Sequence, residues 1–125
     1  MKNSILLKRA GFFRELSHGD PQGPSLRLSQ QSYASEHETS LLNYLTHGVA
    51  YIVSPGPTWD VLDESGPVGT GTVLTDGEWA WPDDLIHYLE KYHVALPDEF
   101  VEHAIANHWH VPEVPRSRLL TLRLS

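Results

Sequence analysis

The sequence predicts an α+β fold: a small antiparallel β-sheet of three to five strands with about three helices packed on it. Three observations lead there. Apolar residues recur at helical spacing after position 35 and again in two stretches beyond position 82. Between them lie short β-branched and aromatic runs cut by Gly and Pro. One of these, "GTVLTDGEWAW", alternates around Asp76-Gly77 as a hairpin does.

Residues 1–34 read as an irregular arm that packs on the core of a single domain spanning residues 1–125. "GFFREL" suits a short helical turn, and "HGDPQGPSL" is a loop punctuated by Gly and Pro. Phe12, Phe13 and Leu16 are the expected anchors, with a partner-facing role for the Phe pair as the alternative. A helix should start at Ser35, because "SEHE" places Glu38 at the capping-box position. Leu41, Leu42 and Leu45 follow as its apolar stripe, and Gly48 is expected at its C-terminal cap.

"VAYIVS" and "TWDVLD" read as strands, and the glycine-rich "GPVGTGTV" as a hairpin loop. In the next hairpin, residues 72–75 and 78–81 flank Asp76-Gly77, a pair favoured by a type I′ turn. Alternation puts Trp79 and Trp81 on one face and Glu78 and Ala80 on the other. The simplest place for both indoles is the core, beneath a helix that starts at Pro82; an exposed aromatic binding surface is the alternative.

Pro82 suits a first helical position, with Asp83 and Asp84 in the first turn. Leu85, Ile86, Leu89 and Tyr92 then form an apolar face. Pro97, Asp98 and Glu99 repeat the pattern ahead of Phe100, Val101, Ala104 and Ile105. The opposite faces carry Asp84, His87 and Glu90 in one helix and Glu99, Glu102 and His103 in the other. The tail alternates Leu120, Leu122 and Leu124 as an edge strand would.

Length and composition fit one globular domain: 125 residues, 40% hydrophobic and 20% charged. With no cysteine, there is no disulfide framework and no thiolate chemistry. Lys8 and Arg9 interrupt the first apolar run before a signal-peptide core is complete, and no run reaches membrane-spanning length. A soluble cytoplasmic protein is expected. The net charge of -7 is unevenly distributed. Between positions 51 and 112, Lys91 is the only Lys or Arg against eleven acids. Such a block repels phosphate backbones and disfavours direct nucleic-acid binding, whereas it attracts a basic protein. The alternative is that it is merely a solubilising surface.

Catalytic signatures are sparse. "HWH" (His108 and His110, with His103 nearby) would need further ligands to hold zinc, and no HExxH spacing supplies them. A pair of histidines at a helix end beside packed Trp109 is the simpler reading, so no metal or other cofactor is expected. Asp60, Asp63, Asp76 and Asp83 lie near tryptophans in the chain, and an acid in an aromatic cleft is one route to a raised pKa. There is no GxSxG elbow, Walker loop or GxGxxG. No catalytic residue is assigned.

Taken together, "FFREL…GPSL", "DVLD" and "LTDGEWAWPDDLIHYLEKYHVALPDEFVEHA" resemble a family of small bacterial proteins common in actinobacteria. That family combines F-x-E-L and P-S-L with T-D-G-x-W-x-W/Y and YHVxLPxxF. The resemblance spans residues 12–109; His87-Tyr88 stands where two tyrosines are common. It implies kinship rather than an activity. In size, acidity and lack of catalytic motifs, the chain also resembles immunity proteins of bacterial toxin systems, including contact-dependent growth inhibition.

The resulting expectation is a non-enzymatic immunity protein. It would neutralise a cognate toxin, a basic nuclease domain and more specifically an RNase, by occluding its active site. The expected partner-binding residues are Asp60, Asp63, Glu64, Asp84, Glu90, Glu99 and Glu102. A small hydrolase or ligand-binding module using an acid–tryptophan cleft is the alternative.

Overall fold

The structure, a computed structural model, describes residues 4–64 and 66–124. Along the chain run β1 (Ile5–Leu6), β2 (Lys8–Arg9), α1 (Leu26–Ser29), α2 (Glu38–Thr46), β3 (Val49–Ile52) and β4 (Thr58–Trp59). Then come β5 (Pro67–Gly69), β6 (Val73–Thr75), β7 (Trp79–Pro82), α3 (Leu85–Tyr92), α4 (Asp98–Ala106), α5 (Arg116–Leu119) and β8 (Leu122–Arg123). No helix among the described residues is long and apolar enough to cross a membrane.

The expected single antiparallel sheet with about three helices is corrected. Among the described residues there are five helices, two of them single turns, and three sheets. The largest sheet has the order β2-β7-β6-β3 and is mixed: β2 runs parallel to β7, and the other two pairings are antiparallel. β1 pairs parallel with β8, and β4 pairs antiparallel with β5. The parallel ladders join the N-terminal arm to distant segments through two-residue strands. Strands that short carry no readable alternation, so the arm looks irregular in sequence although its backbone is paired.

β7 lies between β2 and β6, and both of its faces are covered. Trp79 and Trp81 point into a cluster with Tyr44, Leu85, Tyr88 and Phe100. Phe100 meets both indoles edge-on, with centroids 5.3 and 5.5 Å away. The Trp81 indole N–H donates to the Leu45 carbonyl at 3.2 Å, so its one polar atom is satisfied in the core. Ala80, on the other face, joins Leu7, Phe12, Val73, Val114 and Leu122 in a second cluster. Both indoles are core residues, on the face covered by α2, α3 and α4.

Local signals were less reliable than the apolar pattern. Ser35 and Glu38 make no reciprocal capping box: α2 begins at Glu38, whose carboxylate reaches His93 instead. Gly48 is not the C-cap, which is His47. A Cβ at Gly48 would lie 2.5 Å from Trp81 Cζ2 and 2.8 Å from Leu74 Cβ, so glycine lets the strand pass against the indole. Pro82 ends β7 rather than opening α3, while Pro97 does precede α4, with Asp98 and Glu99 in its first turn. The "GPVGTGTV" loop contains β5 at its start, and the tail forms α5 before the short β8, leaving Leu120 exposed.

The arm is held by polar as well as apolar contacts. Phe12, Phe13 and Leu16 are buried, as anchors should be. Glu15 accepts from the N–H groups of Leu26 and Arg27 at 2.6 and 3.1 Å and from the Ser25 hydroxyl at 2.7 Å. Burial raises the Glu15 pKa, but these donors outweigh it and bring it down to about 2.

Replacing the central indole tests this packing. Trp81→Ala should lower unfolding free energy by about 3–5 kcal/mol in chemical denaturation. Gly48→Ala should cost roughly 1–3 kcal/mol through overpacking against the same ring. A neutral Gly48→Ala would remove the proposed close approach.

Candidate functional site

Four buried carboxylates are matched with histidines across the fold, and three of them are fully buried. Asp76 is the most completely bonded. Its Oδ1 accepts the backbone N–H groups of Glu78 and Trp79 at 2.9 and 2.8 Å. Its Oδ2 accepts the Tyr44 hydroxyl at 2.5 Å and lies 2.9 Å from His103 Nε2. Asn107 donates to the Tyr44 oxygen at 3.0 Å. The predicted type I′ turn is replaced by this side-chain-capped bend, in which Gly77 has a φ of +99° and Asp76 does not enter the left-handed region. Burial, followed by the bond to Asp76, raises the Tyr44 pKa.

Asp60 follows β4 and turns the chain back. It accepts the N–H groups of Leu62 and Asp63 at 2.8 and 3.3 Å. Its other oxygen lies 2.7 Å from His87 Nε2 and accepts the Tyr92 hydroxyl at 2.7 Å. Burial alone would raise its pKa, yet His87, Tyr92 and the two amides hold it below the ordinary aspartate value. That direction is opposite to what a general acid in an aromatic cleft requires. Burial and the bond to Asp60 push the Tyr92 hydroxyl up to about 12. Lys91, one helical turn beyond His87, pairs with Asp63 and approaches Asp60 at 3.7 Å.

Asp84 precedes α3 and is buried. His18 Nε2 lies 3.0 Å from its Oδ2, but neither ring nitrogen of His18 nor either Asp84 oxygen has an aligned hydrogen bond among the described residues. The adjacent Asp84 carboxylate raises the His18 pKa, against the opposing effect of burial and with help from Asp83. Asp83 itself accepts from the Thr70 hydroxyl at 2.6 Å and the Gly71 N–H at 3.0 Å, fixing the loop between β5 and β6. The fourth pair, Glu38 with His93, closes at 2.7 Å between α2 and the end of α3.

The seven acids expected at a partner surface therefore separate. Asp60 and Asp84 are each 0% exposed, which corrects the placement of Asp84 on a solvent-facing helix surface. Asp84 stands at the N-cap, where the chain is still turning out of β7, so helical periodicity misplaces it. Asp63 is exposed and paired with Lys91. Glu64, Glu90, Glu99 and Glu102 are exposed and make no side-chain hydrogen bond or ion pair among the described residues. Glu64 ends the turn that Asp60 organises, and Glu90 lies one helical turn after His87, which binds Asp60. Glu99 and Glu102 are spaced three apart on α4.

Two exposed aromatics were missed, Tyr33 and Trp59. Trp59 is 55% exposed beside buried Asp60, and Val53 is also open to solvent. β4 is only two residues long, so alternation gives no face for its indole. The "HWH" segment lies beyond α4, with His108 and Trp109 in the left-handed region rather than on a strand. Trp109 packs against His37 at 5.4 Å. No group of three or more His, Asp or Glu among the described residues is placed to hold a metal ion.

Comparison of the chain with protein-family models, curated proteins and solved structures returns no match.

The shifted groups act on stability at opposite ends of the pH scale. His18 is raised above 6.5 in the folded state, so its contribution is complete below 6.5 and drains away as pH rises through the folded value. Asp60 is lowered from 3.8, so its contribution is complete above 3.8 and is lost as pH falls through the folded value. Denaturant unfolding of His18→Gln across neutral to alkaline pH should lack the parent's alkaline decline, while the acid limb is unchanged. An identical alkaline slope in the variant would contradict the His18–Asp84 assignment.

Proposed function

We propose that this protein is a binding protein for a basic protein partner, and more specifically an immunity protein that neutralises a cognate toxin domain. One observation carries the reading. Lys91, the only Lys or Arg between positions 51 and 112, is held by Asp63 and Asp60, while Glu64, Glu90, Glu99 and Glu102 lack compensating partners among the described residues. The acidic block thus keeps an outward field that accelerates encounter with a cationic surface.

A nuclease is the favoured partner class, because it presents cations to a phosphate backbone and is neutralised when those cations are covered. The surface divides into two parts: Glu64 and Glu90 around the Asp60 turn, and Glu99 and Glu102 on α4. Trp59 directly precedes Asp60 in the chain, and an exposed indole beside this turn suits the apolar anchor of an interface. The small size and acidity shared with toxin-immunity proteins support the same reading by analogy.

The test screens whatever basic domains are encoded beside this chain. One of them should bind with an association rate that falls as ionic strength rises. Reversing Glu90, Glu99 and Glu102 to lysine should leave thermal stability nearly unchanged and slow association by on the order of tenfold or more. Trp59→Ala should weaken affinity by about 2 kcal/mol or more through faster dissociation. Unchanged affinity in both folded variants, or the lack of any basic partner, would overturn the proposal.

A further inference from the structure

Among the described residues, the buried side-chain nitrogens and oxygens left without an aligned hydrogen bond all belong to His18, Thr58 and Asp84. Asp84 is fully buried, and neither of its oxygens is satisfied. Both ring nitrogens of His18 and the Thr58 hydroxyl share that condition. Crediting the 3.0 Å approach of His18 Nε2 to Asp84 Oδ2 as a bond still leaves Asp84 Oδ1, His18 Nδ1 and Thr58 Oγ1. A desolvated carboxylate or hydroxyl is costly unless a partner reaches it.

The three side chains come from distant segments, the N-terminal arm, β4 and the start of α3, yet they meet at one place. Thr58 pairs with Gly69 in the β4–β5 ladder, and a Cβ on Gly69 would lie 2.9 Å from Asp84 Cβ. His18 closes on Asp84 from the arm. Two residues on, at Gly71, the packing loosens. A Cβ there would sit 3.6 Å from Thr58 Cγ2, 3.8 Å from Ser54 Oγ and 4.0 Å from His18 Cγ, all ordinary contact distances. The side chains around Gly71 thus leave room for a group the size of a methyl, which is about the size of one water molecule.

We infer that His18, Thr58 and Asp84 form a binding site for a single internal water molecule. The water accepts from the Thr58 hydroxyl and from an N–H of His18, and it donates to Asp84. Those are about the three hydrogen bonds that buried waters typically make. The mixture of donors and acceptors selects the ligand. Ammonium has no lone pair with which to accept from Thr58 or His18. A halide is repelled by Asp84 and by neighbouring Asp83. A metal ion needs more ligands than this cluster supplies. Only a small molecule that both donates and accepts satisfies all three side chains, and it then ties the arm to β4 and to the start of α3. This site goes beyond the protein-binding role and does not depend on it.

Oxygen-17 magnetic relaxation dispersion on the full chain counts waters that tumble with the protein and is blind to exchange of hydroxyl protons. Thr58→Val keeps the side-chain shape and removes the hydroxyl, so it should lower the dispersion amplitude by one water. Thr58→Ser, which retains the hydroxyl, should keep the parent amplitude. Gly71→Ala places a methyl in the same space and should also expel the water, which gives a second reading if Thr58→Val does not fold. In the parent protein, the Thr58 methyl and the Gly71 Hα protons should show water NOE and ROE peaks of opposite sign, as a water tumbling with the protein gives. An unchanged amplitude in either folded variant, or no such peaks at either residue, would overturn the assignment.

Discussion

The structure depends on the buried carboxylate of Asp76. One oxygen caps the bend between β6 and β7, and the other grips Tyr44 on α2 and His103 on α4. A single side chain thus fixes the turn that aligns the tryptophan strand and ties that turn to two helices covering it. Low dielectric strengthens each of these bonds, and the same low dielectric makes the carboxylate expensive if any bond is lost. The stretch "LTDGEWAWPDDL" holds this device together with Asp83, which fixes the loop between β5 and β6, and Asp84, which faces His18.

The acidic block therefore has two populations with different physical roles. Asp60, Asp76 and Asp84 lie inside, matched by His87, His103 and His18. Asp60 and Asp76 organise turns, where backbone N–H groups and a histidine offset the cost of desolvation, while Asp84 faces His18 without an aligned hydrogen bond. The glutamates at 64, 90, 99 and 102 remain outside and contribute field rather than structure. Shorter aspartates suit turn capping because their carboxylates reach amides two or three residues away. The longer glutamates extend into solvent, Glu90, Glu99 and Glu102 from helix surfaces and Glu64 from the turn after Asp60. This division reduces the number of acids available to a partner while leaving the sign of the surface unchanged.

The sequence made the apolar architecture of the middle legible. Strong alternation placed Trp79 and Trp81 together, and helical spacing found α2, α3 and α4 because each buries a recurrent stripe. The parallel pairing of Lys8 and Arg9 with Trp79 and Ala80 was hidden, since two-residue strands separated by some seventy positions leave no periodic trace. Polar residues were harder still. Ser35, Glu38 and Pro82 match local capping rules, yet Glu38 finds His93 across the fold and Pro82 completes a strand. Net charge identified the acidic block, but only three-dimensional packing separates buried Asp60 and Asp84 from exposed Glu90. Exposed Trp59 had no signal of its own beyond its residue type.

The most direct measurement of the central constraint is a double-mutant cycle between Tyr44→Phe and Asp76→Asn, read by denaturant unfolding. Both replacements preserve side-chain shape while removing the hydroxyl donor or the charge that receives it. If Asp76 joins the hairpin to the helices, the two changes should be non-additive, with a coupling of about 1–3 kcal/mol. Additivity within about 0.5 kcal/mol would show that the bond contributes no cooperative tie, contradicting the account.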